Sequence, residues 1–156
     1  MKKILFVCLG NICRSPAAEA IFLNKITELD CHSLFKVDSA GTGAWHAGNS
    51  ADFRMIKAAR KRNIEIKSIS RQIILDDFQE FDLILTMDHS NYRDVRNLAK
   101  QALIKPGLEI KCILDYSSSE NLRDVPDPYY GGESGFEDVL DILEEATDGL
   151  IDNLNL

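Results

Sequence analysis

The stretch Ile4-Leu5-Phe6-Val7-Cys8-Leu9-Gly10-Asn11-Ile12-Cys13-Arg14-Ser15-Pro16 decides the fold. Ile4 to Val7 form a short apolar run of β-branched, aliphatic and aromatic residues, the pattern of a strand buried on both faces. Ser15-Pro16 then predicts a helix start, with serine at the N-cap and proline in the first turn, where its missing N–H costs nothing. Ala17, Ala18, Ala20, Ile21, Phe22 and Ile26 carry that helix to about Leu29. A buried strand passing through a short loop into a helix is the opening unit of an α/β fold.

The rest of the chain repeats the alternation. Strands are expected at Phe35 to Ser39, Phe81 to Thr86 and Glu109 to Leu114. Helices are expected from about Ser50 to Arg62, from Asp88 or Ser90 to about Lys100, and from about Gly135 to Leu154. In the last helix Phe136, Val139, Leu140, Leu143, Ala146 and Leu150 form the apolar stripe, and its acids are expected to face solvent. Between Asp115 and Ser134 no periodicity is visible; a connection this long in a compact domain points to a functional or a disordered segment.

Composition bounds the function. The 156 residues are enough for one domain, 1–156, burying roughly two-thirds of the surface its unfolded chain exposes. The net charge of −7 opposes broad nucleic-acid or acidic-lipid binding, so neither nucleic acid nor membrane is an expected partner. The apolar run after Lys2-Lys3 stops at Gly10, too short for a secretory signal, which favours a cytoplasmic protein. Four cysteines and three scattered histidines match neither a disulfide framework nor a metal site, so no metal and no cofactor are expected.

The loop from Cys8 to Ser15 carries the chemistry. Entering a helix N-terminus, it turns backbone N–H groups into one concavity, and the helix dipole adds to the field. Those donors favour a thiolate at Cys8. Arg14, six positions later, can curl over the loop and match two phosphate oxygens. Gly10 and Asn11 tolerate unusual backbone angles. The bare Cys-x5-Arg spacing is weak, since Cys8 alone reads equally as a core residue and Arg14 as a surface charge. The strand–loop–helix context tips the balance toward an anion site.

The string Cys8-Leu9-Gly10-Asn11-Ile12-Cys13-Arg14-Ser15 resembles the phosphate-binding loop of the low-molecular-weight protein tyrosine phosphatases. Asp38-Ser39-Ala40-Gly41-Thr42 with Trp45, Arg71-Gln72, Met87-Asp88 with Ser90-Asn91, and Asp127-Pro128-Tyr129-Tyr130 follow in the family's order. The resemblance implies a single-domain three-layer sandwich of flavodoxin-like type, with a four-stranded parallel sheet in the order 2-1-3-4. It implies Cys8 as nucleophile, Arg14 as clamp and Asp127 as general acid, then base. Leu9, Gly10, Asn11, Ile12, Cys13 and Ser15 would bind the phosphate, Ser15 also easing departure of Cys8. Ser39 would help Asn11 hold the loop, and Trp45 and Tyr129, with Tyr130 as a further candidate, would wall an aryl-binding cleft. The implied partner is a phosphotyrosine-containing protein, met by a monomer or weak dimer.

Asp127 lies between Pro126 and Pro128, and a residue before proline is held extended, which narrows where its carboxyl points. A dianionic substrate nearby would favour its protonated form. Ser68 stands where the family often has a histidine that steadies the loop asparagine, so weaker or water-mediated support is expected there. Cys13 could trap Cys8 as a disulfide under oxidant. Two rivals share the fold. A thiol-dependent arsenate reductase would need a cysteine pair after the third strand, and Phe81 to Asn97 holds none. A protein-arginine phosphatase would tend to carry threonine at Ile12 and another aromatic in the acid loop.

Overall fold

The computed structural model describes residues 1–129 and 131–156, and of Glu133 the backbone alone. Strand β1 (Lys2–Cys8) is followed by helix α1 (Arg14–Glu28), a 3₁₀ turn (His32–Leu34) and β2 (Phe35–Gly41). Then come α2 (Phe53–Arg60), the short α3 (Asp77–Glu80), β3 (Leu83–Thr86) and α4 (His89–Ala99). Strand β4 (Glu109–Cys112), a second 3₁₀ turn (Ile113–Tyr116) and α5 (Glu133–Asn153) complete the chain.

All four strands are parallel, in the order β2-β1-β3-β4. The sequence expectation of a parallel sheet in the order 2-1-3-4 is therefore met. Alternation along β1 explains its continuous apolar run. Ile4, Phe6 and Cys8 face one core, with Phe22, Ile26, Met55, Val139 and Leu143 from α1, α2 and α5. Leu5 and Val7 face the other, with Phe78, Phe81 and Val95. Every residue from Ile4 to Val7 is fully buried, so none of these four positions admits a polar side chain.

Several boundaries differ from the sequence expectation. Helix α1 begins at Arg14 with Cys13 at its N-cap and no side-chain cap. Ser15 is thus inside the first turn, and its hydroxyl points back into the loop. Helix α2 starts at Phe53, capped by Asp52, whose carboxylate accepts from the Arg54 N–H at 2.8 Å. The apolar run around Phe81 is split: Phe81 closes α3, a helix too short for periodicity to reveal, and β3 begins at Leu83. Strand β4 ends at Cys112 because Ile113 and Leu114 turn into a 3₁₀ helix.

From Glu137 onward the acids of α5 keep to its exposed and half-exposed face, and three of them are paired there. Arg62 binds Glu137, Asp141 and Glu144 at 2.7 to 2.9 Å, clasping the chain after α2 to α5. The apolar stripe of α5 is buried as its spacing requires. Among the described residues no helix is long and apolar enough to cross a membrane.

Phe22 is the keystone on the α1 side, with ring centroids 5.9 Å from Phe6 and 5.3 Å, edge-on, from Phe35. Removing it opens a cavity that β1 and β2 cannot close, so Phe22→Ala should cost about 3–5 kcal/mol in urea unfolding. A loss below about 1 kcal/mol would show that this core repacks freely.

Candidate functional site

Open parallel sheets leave a crevice beyond the carboxyl ends of their strands, and the site lies there. Cys8 ends β1, paired with Gly41 at the end of β2. A Cβ at Gly41 would meet the Leu9 carbonyl oxygen at 2.6 Å, so only glycine lets β2 approach the loop. The loop itself is threaded through Asn11, at φ 56° in the left-handed region. Asparagine accepts that region better than most residues. Gly10 does not occupy it; a side chain there would instead crowd His46, at 3.0 Å.

The Asn11 backbone N–H points to Cys8 Sγ at 3.3 Å, and the Ser15 hydroxyl lies 3.0 Å from the same sulfur. The Asn11 amide spans the loop from behind. Its Nδ2 donates to Ser15 Oγ at 2.7 Å and to Ser39 Oγ at 3.0 Å, and its Oδ1 accepts from the Arg71 N–H at 3.0 Å. The asparagine is held from both ends by Ser15, Ser39 and the Arg71 backbone.

Residues 70–73 form a strap that presses on the loop. The Ser70 hydroxyl donates to the Gly10 carbonyl at 3.0 Å, turning the Gly10–Asn11 peptide so that its N–H faces Cys8. The Arg71 guanidinium anchors the strap on Asp38 and Asp77 at 3.0 to 3.1 Å. Burial alone would loosen the Arg71 proton, yet the two carboxylates outweigh it and raise its pKa.

Arg14 is almost wholly buried. Its Nη1 donates to Asp88 Oδ2 at 2.6 Å and to the Val125 carbonyl at 3.0 Å, leaving Nη2 3.6 Å from Asp127 Oδ2. Burial pulls its pKa down, but Cys8, Asp88 and Asp127 together raise it, so the group stays cationic. Asp88 serves twice: its other oxygen caps α4 by accepting from the Asn91 N–H at 2.7 Å. Burial pushes the Cys13 thiol far up, with Asp52, Cys8 and Asp127 adding to it. Cys8 and Cys13 are both free and buried.

The acid segment is tied down on two sides. The Val125 N–H donates to the Met87 carbonyl at 2.9 Å. Arg54 donates to the Tyr129 carbonyl at 3.0 Å and lies 5.5 Å from its ring centroid. Asp127 Oδ1 accepts from the Tyr129 N–H at 3.0 Å, while the carboxyl stays accessible to the cleft.

One cavity of about 370 Å³ gathers Cys8, Leu9, Gly10, Ile12, Cys13, Arg14, Trp45, Asp127 and Tyr129. Asn11, Ser15 and Ser39 lie behind the loop as its braces. Tyr130, the further aromatic candidate, falls outside the described residues. Sequence reasoning missed His46, which lines the cavity with its ring 6.0 Å from that of Tyr129. It also missed the roles of Asp88, Ser70 and Arg71; Asp88 and Arg71 sit in recognisable motifs, but nothing local marks Ser70. Among the described residues no cluster of ligating side chains could hold a metal.

Fold and site together define a flavodoxin-like α/β protein with a cysteine–arginine anion loop at its first strand end. A family model described as low molecular weight phosphotyrosine protein phosphatase matches residues 3–156. A low molecular weight phosphotyrosine protein phosphatase of Schizosaccharomyces pombe is 43% identical over 139 residues, 87% of this chain and 86% of that one. A protein tyrosine phosphatase from Entamoeba histolytica, crystallised with Hepes in its active site, superposes with a TM-score of 0.92 at 42% identity, covering 99% and 97% of the two chains. A Drosophila arginine phosphatase superposes with a TM-score of 0.93 at 29% identity, over 100% and 99%. The chain belongs to the low molecular weight phosphotyrosine protein phosphatase family and is an enzyme of that class.

Two predictions come from the braces. Ser70→Ala leaves the Gly10 carbonyl without its donor, and should cost about 1 kcal/mol of stability and lower kcat/KM on aryl phosphates about three- to thirtyfold. An unchanged kcat/KM would remove Ser70 from the loop's support. Glu19, on α1 beside Asp38 and Ser39, is only 8% exposed; burial first, then the charge of Asp38, raises its pKa from 4.5 to about 7. The folded state holds that proton more tightly than the unfolded chain, so stability is full below pH 4.5 and falls as pH rises toward about 7. The loss is on the order of 3 kcal/mol at 1.36 kcal/mol per pH unit. Glu19→Gln should flatten that slope and gain on the wild type above pH 7; parallel urea-midpoint curves against pH would exclude it.

Proposed function

We propose that this enzyme hydrolyses phosphotyrosine and small aryl phosphates through a phosphocysteine at Cys8, as one domain spanning 1–156 and working in the cytoplasm. The observation that carries this reading is the convergence of Cys8, Arg14 and Asp127 on one cleft whose other walls are Ile12, Trp45 and Tyr129. A cleft of this size suits an aryl phosphate, with Ile12, Trp45 and Tyr129 to meet the ring and a few polar groups to fix the phosphate.

In the first step the Cys8 thiolate attacks phosphorus in line with the ester oxygen. The S–P bond forms, the P–O bond breaks, and the Asp127 proton passes to the departing phenolate oxygen. Charge on the equatorial oxygens is met by the loop N–H groups and by Arg14 Nη2, the end not committed to Asp88. In the second step the Asp127 carboxylate takes a proton from water as that water attacks phosphorus. The S–P bond breaks, inorganic phosphate leaves, and the Ser15 hydroxyl at 3.0 Å steadies the sulfur as it regains its charge.

The likeness to an arginine phosphatase keeps phosphoarginine as the competing substrate class, since the backbone does not separate the two. Ile12 and Tyr129 lining the cleft favour the aryl ester. Cys8→Ser should abolish turnover of p-nitrophenyl phosphate. Asp127→Ala should lose at least about a hundredfold on phosphotyrosine but far less on aryl phosphates with good leaving groups, the size expected of general acid catalysis. Equal losses on both would remove Asp127 from proton donation, and higher kcat/KM on phosphoarginine would reassign the substrate.

A further inference from the structure

A second concavity, of about 630 Å³, adjoins the catalytic cleft, and Leu9 and Trp45 are walls of both. Beyond them it is lined by Ile74, Leu75 and Leu98, with Asp94 as the charged group. Ile74 and Leu75 follow the strap, and Asp94 and Leu98 lie on α4, so the chain beyond the strap and the helix build it together. Trp45 is 71% exposed, Ile74 53% and Leu75 42%, so a row of large apolar side chains stands open to solvent beside the cleft. Exposed apolar clusters of this kind mark binding surfaces rather than packing.

The geometry of the shared wall is fixed. The Trp45 ring lies directly over Gly43, where a Cβ would penetrate it, so any other residue at 43 would displace the indole. The Gln72 amide donates to the Thr42 carbonyl at 3.0 Å, tying the strap to the chain beneath the tryptophan. Leu9 and Trp45 therefore form a ridge with the catalytic cleft on one side and the apolar groove on the other. The opposite rim differs in chemistry: there Arg54 adjoins Tyr129 and pairs with Asp52.

We propose that the groove is a substrate subsite that takes an aliphatic side chain of the phosphorylated segment, close in sequence to the phosphotyrosine. The proposal rests on the phosphotyrosine reading of the cleft. A phosphotyrosine whose phosphate reaches Cys8 leaves its backbone at the mouth, against the ridge. At roughly 3.3–3.6 Å per residue, an extended segment crosses such a ridge within one to three residues. Its next side chain on that face then meets Ile74, Leu75 and Leu98, where water-exposed apolar surface on both partners is buried. Asp94 at the edge disfavours an acidic residue there and tolerates a basic one.

The test is a phosphotyrosine peptide library degenerate over four positions on each side, followed by matched peptides carrying leucine or aspartate at the selected position. Wild type should select leucine, isoleucine, valine or methionine at one position and prefer the leucine peptide at least about fivefold in kcat/KM. Ile74→Glu and Leu75→Glu should shrink that ratio to within about twofold while leaving kcat/KM on p-nitrophenyl phosphate unchanged. Absence of any apolar selection, or a preference that survives both substitutions, overturns the subsite while the enzyme reading stands. If Ile74→Glu instead dissociates a dimer in sedimentation without altering peptide preference, the groove is a face for a second copy and the subsite is wrong. Failure to hydrolyse any phosphotyrosine peptide would sink the parent reading and the subsite together.

Discussion

The site depends on the orientation of one peptide plane, between Gly10 and Asn11. Its carbonyl is held outward by Ser70 and its N–H inward at Cys8 Sγ. Turning the chain so sharply puts Asn11 in the left-handed region, a conformation that costs roughly 1–2 kcal/mol for an ordinary residue. Three hydrogen bonds from the Asn11 side chain, at about 0.5–1.5 kcal/mol each, offset that strain. The same side chain thus makes the turn tolerable and joins the loop to β2 and to the strap. Its partners come from Ser15, Ser39 and Arg71, on three different elements.

A second constraint keeps the cation in register. Arg14 sits at the start of α1, where the helix dipole would repel a positive charge. Asp88, the cap of α4, and the Val125 carbonyl compensate. A buried pair of this kind adds little net stability, because desolvation consumes most of the Coulomb gain. Its value is positional: one edge of the guanidinium is engaged by Asp88 and Val125, and the other faces Asp127 and the cleft. The Val125 carbonyl places the acid segment by the same contact, so clamp and acid are set against each other by a single side chain.

The cleft mouth is chemically lopsided. On one rim Arg54, paired with Asp52, adjoins Tyr129, whereas Leu9, Trp45, Ile74 and Leu75 make the other apolar. An overall charge of −7 conceals this, because charge totals average over surfaces that a bound segment meets one at a time.

The sequence by itself determined the strands of the sheet and named the candidate reacting groups. A four-residue apolar run, a loop ending in Ser-Pro and the spacing of Cys8 to Arg14 are local facts, and strand burial, helix entry and loop chemistry follow from them. The apolar stripe of α5 was legible for the same reason, since its periodicity is written in one continuous segment. Only the tertiary structure decided what holds the loop. Ser70 and Arg71 reach it across about sixty residues of chain, and Arg62 pairs with three acids on the solvent face of α5. It also showed Ser15 inside the first turn of α1 rather than capping it, and Ile74 and Leu75 left outside the core. Such contacts depend on which ends of which strands lie side by side, and hydrogen bonds between distant segments leave no period or spacing in the sequence to read.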